Sequence, residues 1–144
     1  MNFLLDTCVI SEVVSKRPNL SVLHWIDSVD PDRIHLSVVT IGEIQKGIEK
    51  LRDLGKKEAL ATWLKDDLLV RFRDRLAVLD LGTFLQWGNL IGRLETQGTP
   101  MPAMDSLIAA TALHGHFVLV TRNEDDFLKA GVQIFNPWKS GTRV

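Results

Sequence analysis

The sequence predicts an α/β chain of three layers, with a central, mostly parallel five-stranded sheet between helices. Five short apolar runs of buried-strand character recur along the 144 residues. Between them, apolar residues return at the three-and-four spacing of amphipathic helices. There is no internal repeat and no low-complexity segment.

In order, the strands are read at Phe3–Leu5, Ile34–Leu36, Ala77–Leu79, Phe117–Val120 and Gln133–Phe135. Val9, Ile10, Val13 and Val14 mark a helix starting near Thr7, and another starts near Ser21. Ile41, Ile44, Ile48 and Leu51 mark a helix beginning near Glu43. Gly55 separates it from the stretch of Leu60, Trp63, Leu64 and Leu68. Gly82 follows the third strand, and a helix from near Thr83 is broken by TQGTPMP. Leu107, Ile108, Ala110 and Leu113 mark the next helix, and a short helical turn joins the last two strands.

This length suits one domain, residues 1–144, with a core of its own. The 45% hydrophobic and 24% charged fractions are ordinary for a globular chain. The single cysteine, Cys8, excludes an internal disulfide and suits a reducing cytoplasm. No basic segment precedes an apolar core at the N-terminus, so no signal peptide is expected. No apolar stretch nears the ~20 residues that span a bilayer, so no membrane partner is expected. A net charge of −1 gives no overall pull toward nucleic acid, so any such role needs local evidence.

That local evidence is a set of carboxylates. In an open parallel sheet, ligands gather outside the C-terminal ends of the strands. Asp6 directly follows FLL. Glu43 lies early in its helix, Asp105 opens MDSLIAATALHG, and VLVTRNEDDF brings Thr121, Asn123, Asp125 and Asp126 to the same edge. Each has an ordinary alternative. Asp6 and Asp105 read as helix N-caps, Thr40 and Glu43 as a capping box, Asp125 and Asp126 as solvated charges. Together they read differently. Converging carboxylates repel, and a hard divalent cation relieves that cost; oxygen ligands select Mg²⁺ or Mn²⁺.

Other chemistries fit poorly. His114 and His116 lack the cysteines of a zinc site. The residue six beyond Cys8 is Val14, where a cysteine phosphatase needs arginine, and Cys8 occupies the place of the second aspartate of an aspartyl-phosphate hydrolase. No glycine-rich phosphate loop ending in Lys-Ser or Lys-Thr is present. Lys46 and Lys50, four apart on one helix, and Arg122 are the candidate phosphate contacts, with a solvated helix face as the alternative for the lysine pair. Trp25, Trp63, Trp87 and Trp138 could stack on bases, but packing suits them better.

LLDTCVISE, TIGEIQKGI, MDSLIAATA and VTRNEDDF together resemble the motifs of PIN-domain ribonucleases, in particular toxins of the VapC and FitB type. VQIFNPW resembles the last strand of that group. The resemblance implies a Mg²⁺-dependent (or Mn²⁺-dependent) endoribonuclease toxin with a parallel-sheet α/β/α fold. It implies a homodimer, a cognate VapB- or FitA-like antitoxin, and a larger assembly with it. The segments around Trp63 and Trp87–Ile91 are the candidate dimer faces, and Leu54, Leu60 and Trp63 are candidate contributors to an antitoxin groove. The resemblance implies a single-stranded or structured RNA substrate, such as transfer or ribosomal RNA, cut to 5′-phosphate and 3′-hydroxyl ends. It places Asp6, Glu43, Asp105 and Asp126 in the catalytic acidic set, with Asn123 where many relatives carry aspartate. These five are the expected metal ligands, with Thr7 and Thr121 in support. The competing expectation is a PIN-fold interaction module whose acidic pocket is weakly active or inactive.

Overall fold

The computed structural model describes residues 1–139. Strand β1 (Phe3–Leu5) leads into α1 (Thr7–Val13) and α2 (Leu20–Ser28), then β2 (Ile34–Ser37). Helices α3 (Val38–Glu49), α4 (Leu54–Trp63) and α5 (Leu69–Arg71) precede β3 (Leu76–Ala77). The long pair α6 (Leu81–Thr96) and α7 (Ala103–Gly115) precedes β4 (Val118–Val120). The short α8 (Glu124–Phe127) separates it from β5 (Ile134–Phe135).

The five strands form one sheet in the order β3-β2-β1-β4-β5, and every pairing is parallel. The period of two in a strand divides the core between the two sheet faces. Phe3 and Leu5 face a cluster with Val9, Val22, Leu64 and Phe72. Leu4 faces a second cluster with Leu90, Leu94, Ile108 and Phe127. Helices from the first half of the chain cover one face, and α6 and α7 cover the other. All of β1 is buried, as expected of a central parallel strand. Among the described residues no helix is long and apolar enough to cross a membrane.

The chain fills the sheet from β1 through β2 to β3, then crosses to β4 on the other side of β1. The order therefore reverses between β1 and β4, which opens a crevice at their C-terminal ends. Asp6 follows one of these strands and Thr121 the other.

Several boundaries differ from the sequence reading. β3 covers Leu76–Ala77 rather than Ala77–Leu79, because this edge strand pairs on one side only and Val78 has already turned to solvent. α3 starts at Val38, not near Glu43. Its cap is Ser37, whose hydroxyl accepts from Val39 N at 3.0 Å. Thr40 thus lies inside the helix, and the Thr40–Glu43 capping box does not form. Gly55 sits within the first turn of α4, and the break is residues 50–53. A wider π turn, Leu64–Leu68, continues α4 and aligns Leu64 and Leu68, four apart, toward the core. α7 begins at Ala103 with Pro102 in the cap position, so Asp105 lies in the first turn and is not the cap.

Candidate active site

Asp6 leaves the end of β1 and is 5% exposed. Its Oδ1 accepts from Thr7 N at 2.8 Å, which caps α1. Its Oδ2 accepts from Thr121 Oγ1 at 2.8 Å and lies 3.7 Å from Cys8 Sγ. The capping and functional readings of Asp6 are thus compatible, because they use different oxygens. Thr121 is fully buried, and its hydroxyl also accepts from Asn123 N at 3.0 Å. One side chain thereby joins the ends of β1 and β4 and sets the start of the loop that carries Asn123.

Glu43 comes from α3. Its Oε1 is 2.6 Å from Thr7 Oγ1, which is also 3.2 Å from Thr40 Oγ1. A hydroxyl has one proton, and the carboxylate is the stronger acceptor. Thr7 therefore gives its proton to Glu43 in preference to Thr40. Asp105 stands half-buried in the first turn of α7. That turn is pinned by Ser106, whose hydroxyl donates to Ala103 O at 2.6 Å and accepts from Trp87 Nε1 at 2.9 Å.

The charges of these acids act on one another. Burial pushes the Asp6 carboxyl above its ordinary value, Glu43 adds to the rise, and hydrogen bonds from Thr121 and Thr7 oppose it. Burial also raises Asp105, followed by the charges of Asp6, Asp126 and Glu43. The Cys8 thiol is pushed up by burial and then by Asp6. Four acids from four separate segments therefore share one field. None of the four makes an ion pair among the described residues.

Asn123 and Asp126 lie exposed at the rim, and the Asn123 side chain makes no hydrogen bond among the described residues. Lys46 and Lys50 are exposed three and seven positions beyond Glu43, on the same side of α3. Arg122 is already engaged: its guanidinium lies 4.7 Å over the Trp138 ring and 3.8 Å from Glu12 Oε1. The tryptophans mostly pack. Trp25 meets Phe3 and Phe135 in the core, and Trp63 and Trp138 pack against that cluster.

The donor set suits a hard divalent cation. It is all oxygen, it is anionic, and its most buried member has no cationic partner among the described residues. Among those residues no three His, Cys, Asp or Glu side chains form a ready-made metal cage. Mg²⁺ does not require one, since it keeps several waters and commonly takes one or two carboxylates. The chemistry of the donors therefore decides the fit.

Ser106, Glu12 and Asn136 were not singled out as site residues by the sequence, and Trp87 was read only as a stacking or packing side chain and part of a dimer face. Their roles rest on bonds between residues 19, 3, 126 and 12 positions apart, namely Trp87–Ser106, Ser106–Ala103, Glu12–Trp138 and Asn136–Glu124. Only the Asn-Pro-Trp run near the end could have drawn attention to Asn136.

Residues 3–132 match the PIN domain family model. The toxin FitB of Neisseria gonorrhoeae is 34% identical over 135 residues, 94% of this chain and 97% of that protein. The VapC ribonuclease Y4jK of Sinorhizobium fredii is 31% identical over 136 residues, 94% of this chain and 97% of that one. A solved structure of FitAB bound to a DNA fragment contains a chain that superposes with a TM-score of 0.90 at 32% identity, covering 99% of each chain. The chain therefore belongs to the PIN-domain family, and its likeness to toxins of the FitB and VapC type runs nearly end to end.

Proposed function

We propose that this chain is the toxin of a toxin–antitoxin pair and acts as a metal-dependent endoribonuclease on cellular RNA. The observation that carries the proposal is the acidic set itself. Asp6, Glu43, Asp105 and Asp126 come from four segments to one sheet edge, and no Lys, Arg or His pairs with them among the described residues. Such a cluster needs positive charge to be tolerated and to admit a phosphodiester. The ribonuclease and toxin names of the relatives support the same reading.

Asp6 and Asp105 would hold the principal Mg²⁺ or Mn²⁺, with Glu43, Asn123 and Asp126 completing the set. When bound, the cation supplies a field that attracts the phosphate and acidifies the attacking water. Thr121 and the Thr7 amide fix the rotation of the Asp6 carboxylate. The Thr7 hydroxyl aims Glu43, which binds the cation or orients the water. Lys46 and Lys50, exposed beyond Glu43 on α3, would take up neighbouring RNA phosphates, whereas Arg122 is held by Glu12 and Trp138. Asn123 offers a neutral oxygen where many relatives carry a charge, which favours one cation over two.

The partner would be an antitoxin segment. A groove of about 250 Å³ lies between α1, α3 and α4, lined by Ile10, Val14, Ile44, Leu60 and Trp63, and it ends at Thr7 and Glu43. An apolar helix in this groove would bring a basic side chain to the acids and neutralise them. Leu54, an expected contributor, instead points to solvent. The single cysteine supports placing the protein in the cytoplasm. Incubating the purified chain with total RNA, with and without Mg²⁺, tests the activity. Cleavage that requires Mg²⁺ and is lost in Asp6→Asn supports the reading. Cleavage unaffected by chelator or by Asp6→Asn overturns it. A chain that binds no Mg²⁺ or Mn²⁺ and cuts nothing is the interaction module instead.

A further inference from the structure

Metal chemistry alone does not explain what holds the rim of the site. α8 carries Asp126, yet it is only four residues long and has no side-chain cap. Its first residue, Glu124, accepts from Asn136 Nδ2 at 2.9 Å and from Lys139 Nζ at 2.6 Å. Asn136 is 8% exposed and bonded at both ends of its amide, because its Oδ1 accepts from Trp138 N at 2.9 Å. The two contacts fix its amide orientation, since a carboxylate needs the NH₂ end and a backbone N–H needs the oxygen. Next in the chain, Pro137 O accepts from Ser21 Oγ at 2.8 Å. Trp138 donates from Nε1 to Glu12 Oε1 at 3.1 Å and lies under the Arg122 guanidinium. One four-residue turn thus grips α1, α2, Arg122 and Glu124 together.

We propose that Asn136 is a positioning residue for the acidic site, and that residues 136–139 clamp the 122–127 segment so that Asn123 and Asp126 stay at its rim. This rests on the nuclease reading for its functional consequence, whereas the clamp itself is a separate mechanical claim. Asn136 reaches the site only through Glu124, two residues before Asp126 and one after Asn123. A buried amide that uses both ends cannot be replaced by a residue of one polarity without loosening the loop.

The test applies three readouts to the full chain: amide hydrogen exchange across residues 122–127, Mn²⁺ affinity, and the cleavage rate on total RNA. Asn136→Asp keeps the acceptor for Trp138 but sets a carboxylate against Glu124. Exchange across 122–127 should accelerate, and Mn²⁺ affinity and cleavage should each fall roughly tenfold. Adding Glu124→Gln reverses the donor and acceptor of the same bond and should restore most of all three. A folded Asn136→Asp variant with wild-type exchange and affinity overturns the proposal, as does a loss that the double variant fails to recover. If Asn136→Asp alone does not fold, the double variant decides: wild-type behaviour supports the clamp, and failure overturns it. If the wild type binds no Mn²⁺ and cuts no RNA, the nuclease reading fails alone, and exchange still decides whether the clamp exists.

Discussion

Asp6 serves two purposes with two oxygens, one capping α1 and one turned toward Thr121 and the crevice. Burial raises its pKa above the unfolded value. The folded chain therefore holds that proton more tightly, and ionising Asp6 costs stability. This contribution favours folding most at low pH and falls as pH rises through the unfolded value and then the folded one. Without divalent cations, Asp6→Asn should melt higher than wild type at about pH 7, and the gap should close on acidification. Thermal melts across pH check this; a variant that melts lower throughout contradicts it. The same substitution should reduce cleavage by about a hundredfold or more, as judged against the loss seen for mere outer partners of metal ligands. Asp105 is raised for related reasons, so protons compete with a cation there up to a higher pH than at an ordinary aspartate. Mn²⁺ affinity should accordingly weaken on acidification at a higher pH than ordinary aspartates would allow, which isothermal titration at several pH values measures. The acids were legible because each sits beside a strand end or early in a helix, where chain position alone predicts the edge. Ser106, Glu12 and Asn136 were not, since their roles depend on which distant segment lies opposite.

At the scale of elements, helix beginnings decide where the acids point. Ser37 ends β2 and caps α3, so Glu43 enters the site from the second turn of a helix already anchored at its start. Ser37→Ala should cost about 1 kcal/mol of stability, measured by urea unfolding. No loss would show that the cap is elsewhere. The sequence hid this start because Thr40 and Glu43 have the spacing of a capping box, which sets the helix start too late. The helix periodicity itself, from Ile41 to Leu51, was legible. The five strands were legible as apolar runs, and the parallel pairing followed from the helices between them. Their lateral order was not, because nothing local tells β4 to dock beside β1 rather than beyond β3. Edge strands were the least certain in extent: β3 peels away after Ala77, although the apolar run continues through Leu79.

Across the whole molecule, one apolar face of α6 is left uncovered by the described residues. Leu81, Phe84 and Leu85 of α6 are 75%, 45% and 63% exposed, and Gly88 and Gly92 continue the same side of the helix with open space above them. This face lies just ahead of Trp87–Ile91, one of the two segments expected to pair two copies of the chain (the other is around Trp63), and its small residues would allow close helix approach. Leu85→Glu should turn a homodimer into a monomer in light scattering at micromolar concentration; a wild type that is already monomeric contradicts the dimer. The apolar groove ending at Glu43 would give the proposed antitoxin a separate surface. On the proposed function, activity, inhibition and pH response would all depend on acids from four segments sharing one divalent cation. Titration of the metal-free chain with Mn²⁺, followed by the signal of the free ion, measures that sharing most directly. Saturable binding that is lost in Asp6→Asn and weakened in Asp105→Asn is the predicted result. Absence of binding, or binding that both variants leave unchanged, would contradict it.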